Sequence, residues 1–165
     1  MYGRQAPAIA QQIGCSVETA QHLVDGFFAV APKYHWWYYA QHRLALNVGR
    51  SVTPFGRVRR WHLVTHNNKH NVLNQAVNFP VQSTASDLNL AAAIRIQPQL
   101  KARRLGSILF MVHDSLCCEL REGREAEALE LIQREMQTWP FPSCALLDTE
   151  AKIGSSWGDC KVWRG

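Results

Sequence analysis

Ser107-Ile108-Leu109-Phe110-Met111-Val112-His113-Asp114-Ser115-Leu116-Cys117-Cys118-Glu119-Leu120 is the stretch that decides the fold class. Ser107 to Val112 and Leu116 to Leu120 are two strand candidates, and His113-Asp114-Ser115 reads as the turn between them. A hairpin fixes a carboxylate more rigidly than an open loop does, and such an acid offers a hard oxygen to magnesium. Equally, Asp is a common turn former. His113 also has two readings: a donor to a phosphate or sugar, or a hydrogen-bonded residue that fixes the turn. Glu119 would reach the same site only if its strand bends, and it reads as structural. No equally well-framed acid precedes Asp114, although two-metal phosphoryl transfer needs carboxylates that bridge ions roughly 3.5–4 Å apart.

Outward from the hairpin, the spacing predicts helices on both sides. Glu122 to Trp139 carries Ala126, Leu129, Ile132 and Met136 at helical intervals, and Leu146 to Ile153 is a candidate last strand. Upstream, a helix is expected to start near Val72, to bend or restart around Pro80, and to run from Thr84 or Ser86 to about Ile96, with Pro98 limiting its end. Helices against an antiparallel sheet make this half an α+β layer. Asn78 and Gln82 stand four apart, so a helix puts both amides on one face, where they suit base edges or minor-groove acceptors. They suit caps around Pro80 as well. Asp87 reads as a local cap near the start of the second helical piece.

The first part of the chain is helical and aromatic. Gln5 to Gln12 reads as a short helix, and Ser16 caps a second that carries Leu23, Val24, Phe27 and Phe28. After Pro32, Lys33 to Leu46 forms another, closed by Asn47-Val48-Gly49. Its Trp36, Trp37, Tyr38 and Tyr39 cannot share one face, so some must cover a neighbouring element. Ser51 to Arg60 reads as a hairpin turning at Pro54-Phe55-Gly56. Arg57, Arg59 and Arg60 make it the most basic patch in the chain, suited to phosphate contact or to plain solvation of a turn.

Bulk composition agrees with one domain's worth of chain: 165 residues, 47% of them apolar. Eighteen Lys and Arg against thirteen Asp and Glu leave a net charge of +5, which suits nucleic acid without requiring it. Five cysteines show no Cys-x-x-Cys spacing and so no strong signal of a zinc site or disulfide framework; they read as reduced thiols in a cytoplasmic protein. No apolar run approaches the ~20 residues of a membrane-spanning helix.

Taken together, the motifs resemble the carboxyl-terminal part of the family A DNA polymerases, the group of bacterial DNA polymerase I and related phage replicases. Asn78-Phe79-Pro80-Val81-Gln82-Ser83-Thr84-Ala85-Ser86-Asp87 is similar to the helix-start pattern at the family's fingers–palm junction, and Val112-His113-Asp114 to its motif C. Gly154-Ser155-Ser156-Trp157 with Lys161 resembles the family's carboxyl terminus, and Tyr2-Gly3 the end of its long fingers helix. Pro54-Phe55-Gly56-Arg57 with Arg59-Arg60 resembles the fingers turn that follows. The order holds across essentially the whole chain.

The resemblance implies an α+β fold: the end of the fingers over residues 1–66 and the distal palm over 67–165, its antiparallel sheet completed by another chain. It implies that Asp114 is one of two palm aspartates that hold catalytic Mg2+, with His113 beside the primer-terminal backbone. Asn78 and Gln82 match contacts to the duplex minor groove, Arg57, Arg59 and Arg60 a DNA-contacting turn, and Tyr2 the tyrosine at the nucleotide insertion site. Asn74 takes the place of a DNA-contacting arginine, Ser115 that of an acidic neighbour, and Ser83 that of a common glycine. The motif A aspartate, the triphosphate-binding fingers residues and the thumb belong upstream of residue 1.

The expectation is therefore a split, phage-type polymerase subunit, inactive alone. It would add deoxynucleotides to a primer when joined to an amino-terminal polymerase polypeptide on primer–template DNA. A non-catalytic nucleic-acid-binding remnant and a structural interaction protein are the alternatives.

Overall fold

A computed structural model of the chain describes residues 6–138 and 147–163. It divides into two compact units, Met1–Thr84 and Ala85–Gly165.

In the first unit, α1 (Ala6–Ile13) and α2 (Val17–Val30) meet through buried Ala6, Ala10 and Ala20, with Ile9 and Cys15 packed around them. The Ser16 hydroxyl accepts from the Thr19 N–H at 3.1 Å, the expected cap. Pro32 opens α3 (Pro32–Arg43), where its missing N–H costs nothing. The last turn, Leu44–Val48, widens to π geometry and closes on Gly49, whose φ of 68° is the left-handed value a helix stop asks of glycine. The aromatic run of α3 splits as its spacing requires. Tyr34, His35, Tyr38 and Tyr39 gather around Phe28 of α2, while Trp36 remains 68% exposed. The hairpin β1 (Arg50–Val52) and β2 (Val58–Arg60) follows, turning at Gly56 with φ 80°. Its base rests near a small cluster of Ala45, Val72 and Ala76, to which Trp61 and Val64 add.

One helix, α4 (Lys69–Ala102), runs for 34 residues and contains the boundary between the units. The expected break at Pro80 does not occur, and Pro98 does not end the helix. Each proline removes one intrahelical bond and crowds the preceding turn, a cost of about 3 kcal/mol. Burial of apolar side chains, worth about 1.5–3 kcal/mol for each large one, opposes this. Ala76 and Val77 are buried before Pro80, and Ile96 and Leu100 flank Pro98. Asp87 is therefore a buried residue of the helix interior and not an N-terminal cap.

The second unit holds the better core. The antiparallel hairpin β3 (Gly106–Val112) and β4 (Ser115–Leu120) and the helix α5 (Glu125–Gln137) enclose Ala92, Ile96, Leu100, Leu105, Ala128, Leu131 and Ile132. Ile108, Leu116, Cys118 and Leu120 point the inner hairpin face at that core. On α5 the buried set is Ala128, Leu129, Leu131 and Ile132; Ala126, expected inside, is exposed. The register of β3 shifts between Ile108 and Phe110, and Leu109 through Val112 remain exposed. Among the described residues β3 pairs only with β4, so the chain holds three separate antiparallel pairs. The third joins β5 (Lys152–Ile153) to β6 (Lys161–Val162), a shorter last strand than Leu146 to Ile153 and with a partner that the periodicity does not reveal. The part of that expectation at residue 146 lies outside the described residues. A Cβ on Gly154 would meet the Asp159 backbone at 2.8 Å, which explains glycine at the head of the Gly-Ser-Ser-Trp segment.

Cys15, Cys117, Cys118 and Cys160 are free thiols, as expected; Cys144 lies outside the described residues. Burial pushes the Cys118 thiol up to about 11, so it stays protonated and unreactive. No helix among the described residues is long and apolar enough to cross a membrane.

Candidate carboxylate turn and nucleic-acid interface

At the tip of the β3–β4 hairpin, Val112 faces Ser115 and leaves His113 and Asp114 as a two-residue turn. His113 takes φ 53°, a left-handed value that costs a non-glycine residue of order 1–2 kcal/mol, and Asp114 does not share it. Both side chains are exposed. The turn is tied back to α4, where the Asn89 Nδ2 donates to the His113 carbonyl at 3.2 Å. Asn89 is only 6% exposed. It begins the stripe Asn89, Ala92, Ala93, Ile96 and Leu100, whose spacing of three, four, seven and eleven puts one face of α4 into the core. The sequence reading missed Asn89. The signal was there, as the one amide on an otherwise apolar helical stripe.

Asp114 can offer hard oxygens to a divalent cation. Among the described residues, however, no group of three or more His, Cys, Asp or Glu side chains is placed to hold a metal ion. Asp114 is a single exposed carboxylate at this turn. Glu119 faces Ser107 across the hairpin, at the end remote from the turn, and belongs with the structural reading.

The first unit carries the basic candidates. Arg57, Arg59 and Arg60 are all exposed on the β1–β2 hairpin. Thr53 closes its turn, donating its N–H to the Arg57 carbonyl at 2.9 Å and accepting the Arg57 N–H on Oγ1 at 3.1 Å. Arg59 donates to Gln75 Oε1 at 2.8 Å and lies 6.0 Å from the Phe79 ring centroid, so the hairpin is fastened to α4 through it. The Trp61 indole N–H shares the same acceptor at 3.3 Å. Gln75 is the second residue the sequence reading missed; nothing in its local spacing marks it.

Asn74, Asn78 and Gln82 follow one another four residues apart on α4. Asn74 contacts the His70 ring at 3.1 Å, Gln82 is exposed, and the Asn78 Oδ1 is buried without a hydrogen-bond partner among the described residues. Tyr2 lies outside the described residues. The structure thus brings His113 and Asp114 together in one unit, and gathers the arginine hairpin beside the amide-bearing segment of α4 in the other.

The sequence profile of DNA polymerase family A matches residues 1–159. The thermostable DNA polymerase I of Thermus filiformis is 31% identical over 166 residues, covering 98% of this chain and 19% of that protein. DNA polymerase I of Pseudomonas aeruginosa is 30% identical over 169 residues, covering 96% of this chain and 18% of that protein. Among solved structures, the POL domain of Pol1 from M. smegmatis, in complex with DNA primer-template and dNTP, is similar with a TM-score of 0.76 and 27% identity. That match covers 82% of this chain and 25% of the other. The chain spans about a fifth of the length of the curated relatives it matches.

Proposed function

The chain belongs to DNA polymerase family A, and from that membership we propose that it forms the end of the fingers and the distal palm of a DNA-directed DNA polymerase. Residues 1–66 are the fingers part and 67–165 the palm part. Asp114 is one of the carboxylates that hold Mg2+, and the second comes from polypeptide outside these residues. When bound there, magnesium would supply charge neutralisation for phosphoryl transfer. The chain's own residues bind and orient. His113 meets the primer-terminal backbone, Asn78 and Gln82 meet the minor-groove side of the new duplex, and Arg57, Arg59 and Arg60 meet phosphates. Asn74 is an uncharged member of that contact set, and Tyr2 borders the insertion site.

The observation that carries this reading is an exposed aspartate at a strained turn tied to a buried helix residue, within a chain that matches the family over 1–159. The incomplete metal site favours a shared active centre. So do the outer edges of β3 and β4, which pair with no further strand among the described residues and leave backbone groups for other strands to satisfy. We further propose that the complementing polypeptide is a separate amino-terminal polymerase subunit of a phage-type split enzyme. A second reading, a nucleic-acid-binding remnant without catalysis, draws on the exposed arginines of the β1–β2 hairpin, which need no metal to meet phosphate.

Magnesium-dependent primer extension separates these readings. Purified residues 1–165 are expected to bind primer–template DNA without extending it, and to become part of an active polymerase with a chain that supplies the missing carboxylate. Templated incorporation by the chain alone would overturn the shared site. An assembly that carries the second carboxylate and binds DNA but stays inactive would favour the remnant.

A further inference from the structure

We propose that Asn89 is the positioning residue for the Asp114 turn. It holds His113 in its left-handed conformation through the bond to the His113 carbonyl, and so sets where the Asp114 carboxylate stands. The reading of Asp114 as a metal ligand gives this clamp its consequence, but the clamp itself is a statement about the hairpin.

Three observations carry it. First, the contact is specific: an Asn89 Nδ2 donor meets the carbonyl of the residue immediately before Asp114, at 3.2 Å. Second, that residue is one of only two described non-glycine residues with positive φ, and left-handed backbone at a side-chain-bearing position persists only where the surroundings hold it. Third, Asn89 is a poor choice for stability alone. Its neighbours on the stripe are Ala92, Ala93 and Ile96, and its own Oδ1 is buried with no hydrogen-bond partner among the described residues. An apolar side chain would avoid that desolvation cost. A local rule broken on a packed face, with the broken residue reaching the turn that carries the candidate ligand, points to a positioning task.

Amide hydrogen exchange, followed by NMR on the whole chain, tests the clamp without requiring any polymerase activity. In Asn89→Leu, which keeps the branching at Cγ and removes the donor, exchange at the tip residues Val112 and Ser115 should accelerate roughly three- to ten-fold, the effect of one lost hydrogen bond. Ile108 and Cys118, farther down the hairpin, should change little. Glycine adopts positive φ without penalty, so in a His113→Gly background the same Asn89→Leu change should have a much smaller effect. Asn89→Ala carries the same two expectations should the leucine methyl groups overpack the core. Uniform acceleration over the hairpin, an unaffected tip, or an undiminished effect in the glycine background would each overturn the clamp. If the exchange pattern appears as expected but Asp114 proves dispensable for incorporation, the clamp stands and the metal-ligand reading of Asp114 fails.

Discussion

Arg95 and Glu135 are joined twice, once through the carboxylate, with Arg95 Nε to Oε2 at 3.0 Å, and once through the backbone, with Arg95 Nη2 to the Glu135 carbonyl at 2.7 Å. Gln99 adds a bond to Oε1 at 3.0 Å, so two successive turns of α4 grip one residue of α5. The Gln99 hydrogen bond, followed by Arg95, holds the Glu135 carboxyl below the usual carboxylate range against the opposing effect of burial. A depressed folded value means stability that is present above the unfolded pKa and lost as pH falls through the folded one. Glu135→Gln should therefore flatten the acid limb of the stability curve below about pH 4.3. Glu135→Ala should cost about 1.5–3 kcal/mol at neutral pH, the range for hydrogen bonds to a charged group. Urea unfolding across pH measures both.

Gly106 tests the hairpin at its other end. Its φ is 143°, and a Cβ there would collide with the Glu119 carbonyl oxygen, an atom of the facing strand that cannot swing away. Gly106→Ala should destabilise by more than about 2 kcal/mol through strain and separation of the strands. Gly123→Ala, also at positive φ but with nothing within 4 Å, should cost about 1 kcal/mol. Thermal melts of the two variants give the comparison.

Asp114→Asn removes a hard anionic oxygen at an exposed turn. Folding free energy should change by less than about 0.5 kcal/mol. Incorporation by the complete assembly should fall by more than about 100-fold, beyond the usual effect of losing a residue that only supports a metal ligand. Denaturant unfolding and single-turnover incorporation together check this. Near-normal incorporation would remove Asp114 from the metal set.

The arginine hairpin offers a split between binding and structure. Arg60 is exposed on β2, whereas Arg59 is bonded to Gln75. Arg60→Ala should lower the salt dependence of DNA binding by about 0.9 in log K against log salt for each lost phosphate contact, with the fold unchanged. Arg59→Ala should lower stability as well, by about 1 kcal/mol for the freed Gln75 and Phe79 contacts. Fluorescence anisotropy from low to moderate salt, alongside melting curves, separates them.

Local chemistry alone determined a good deal of this protein. Serine at 16 caps a helix, Gly49 stops one, Pro54-Phe55-Gly56 turns a hairpin, and the apolar runs on either side of His113-Asp114 pair as strands. Each depends on interactions within a few residues, so each is legible from spacing. The motif order likewise pointed to the family that residues 1–159 match. Tertiary structure decided the rest. Pro80 and Pro98 read as breaks because the proline penalty is local, yet α4 runs on through both, with Ala76 and Val77 buried before Pro80 and Ile96 and Leu100 buried around Pro98. Asp87 lost its capping role for the same reason. Ala126 suits the same helical spacing as Leu129, Ile132 and Met136, and only the position of the hairpin leaves it outside the core that those three meet. Asn89 shows the limit most clearly. Its separation from His113 along the chain is 24 residues, and a hydrogen bond across that interval exists only once the hairpin has folded back over the helix.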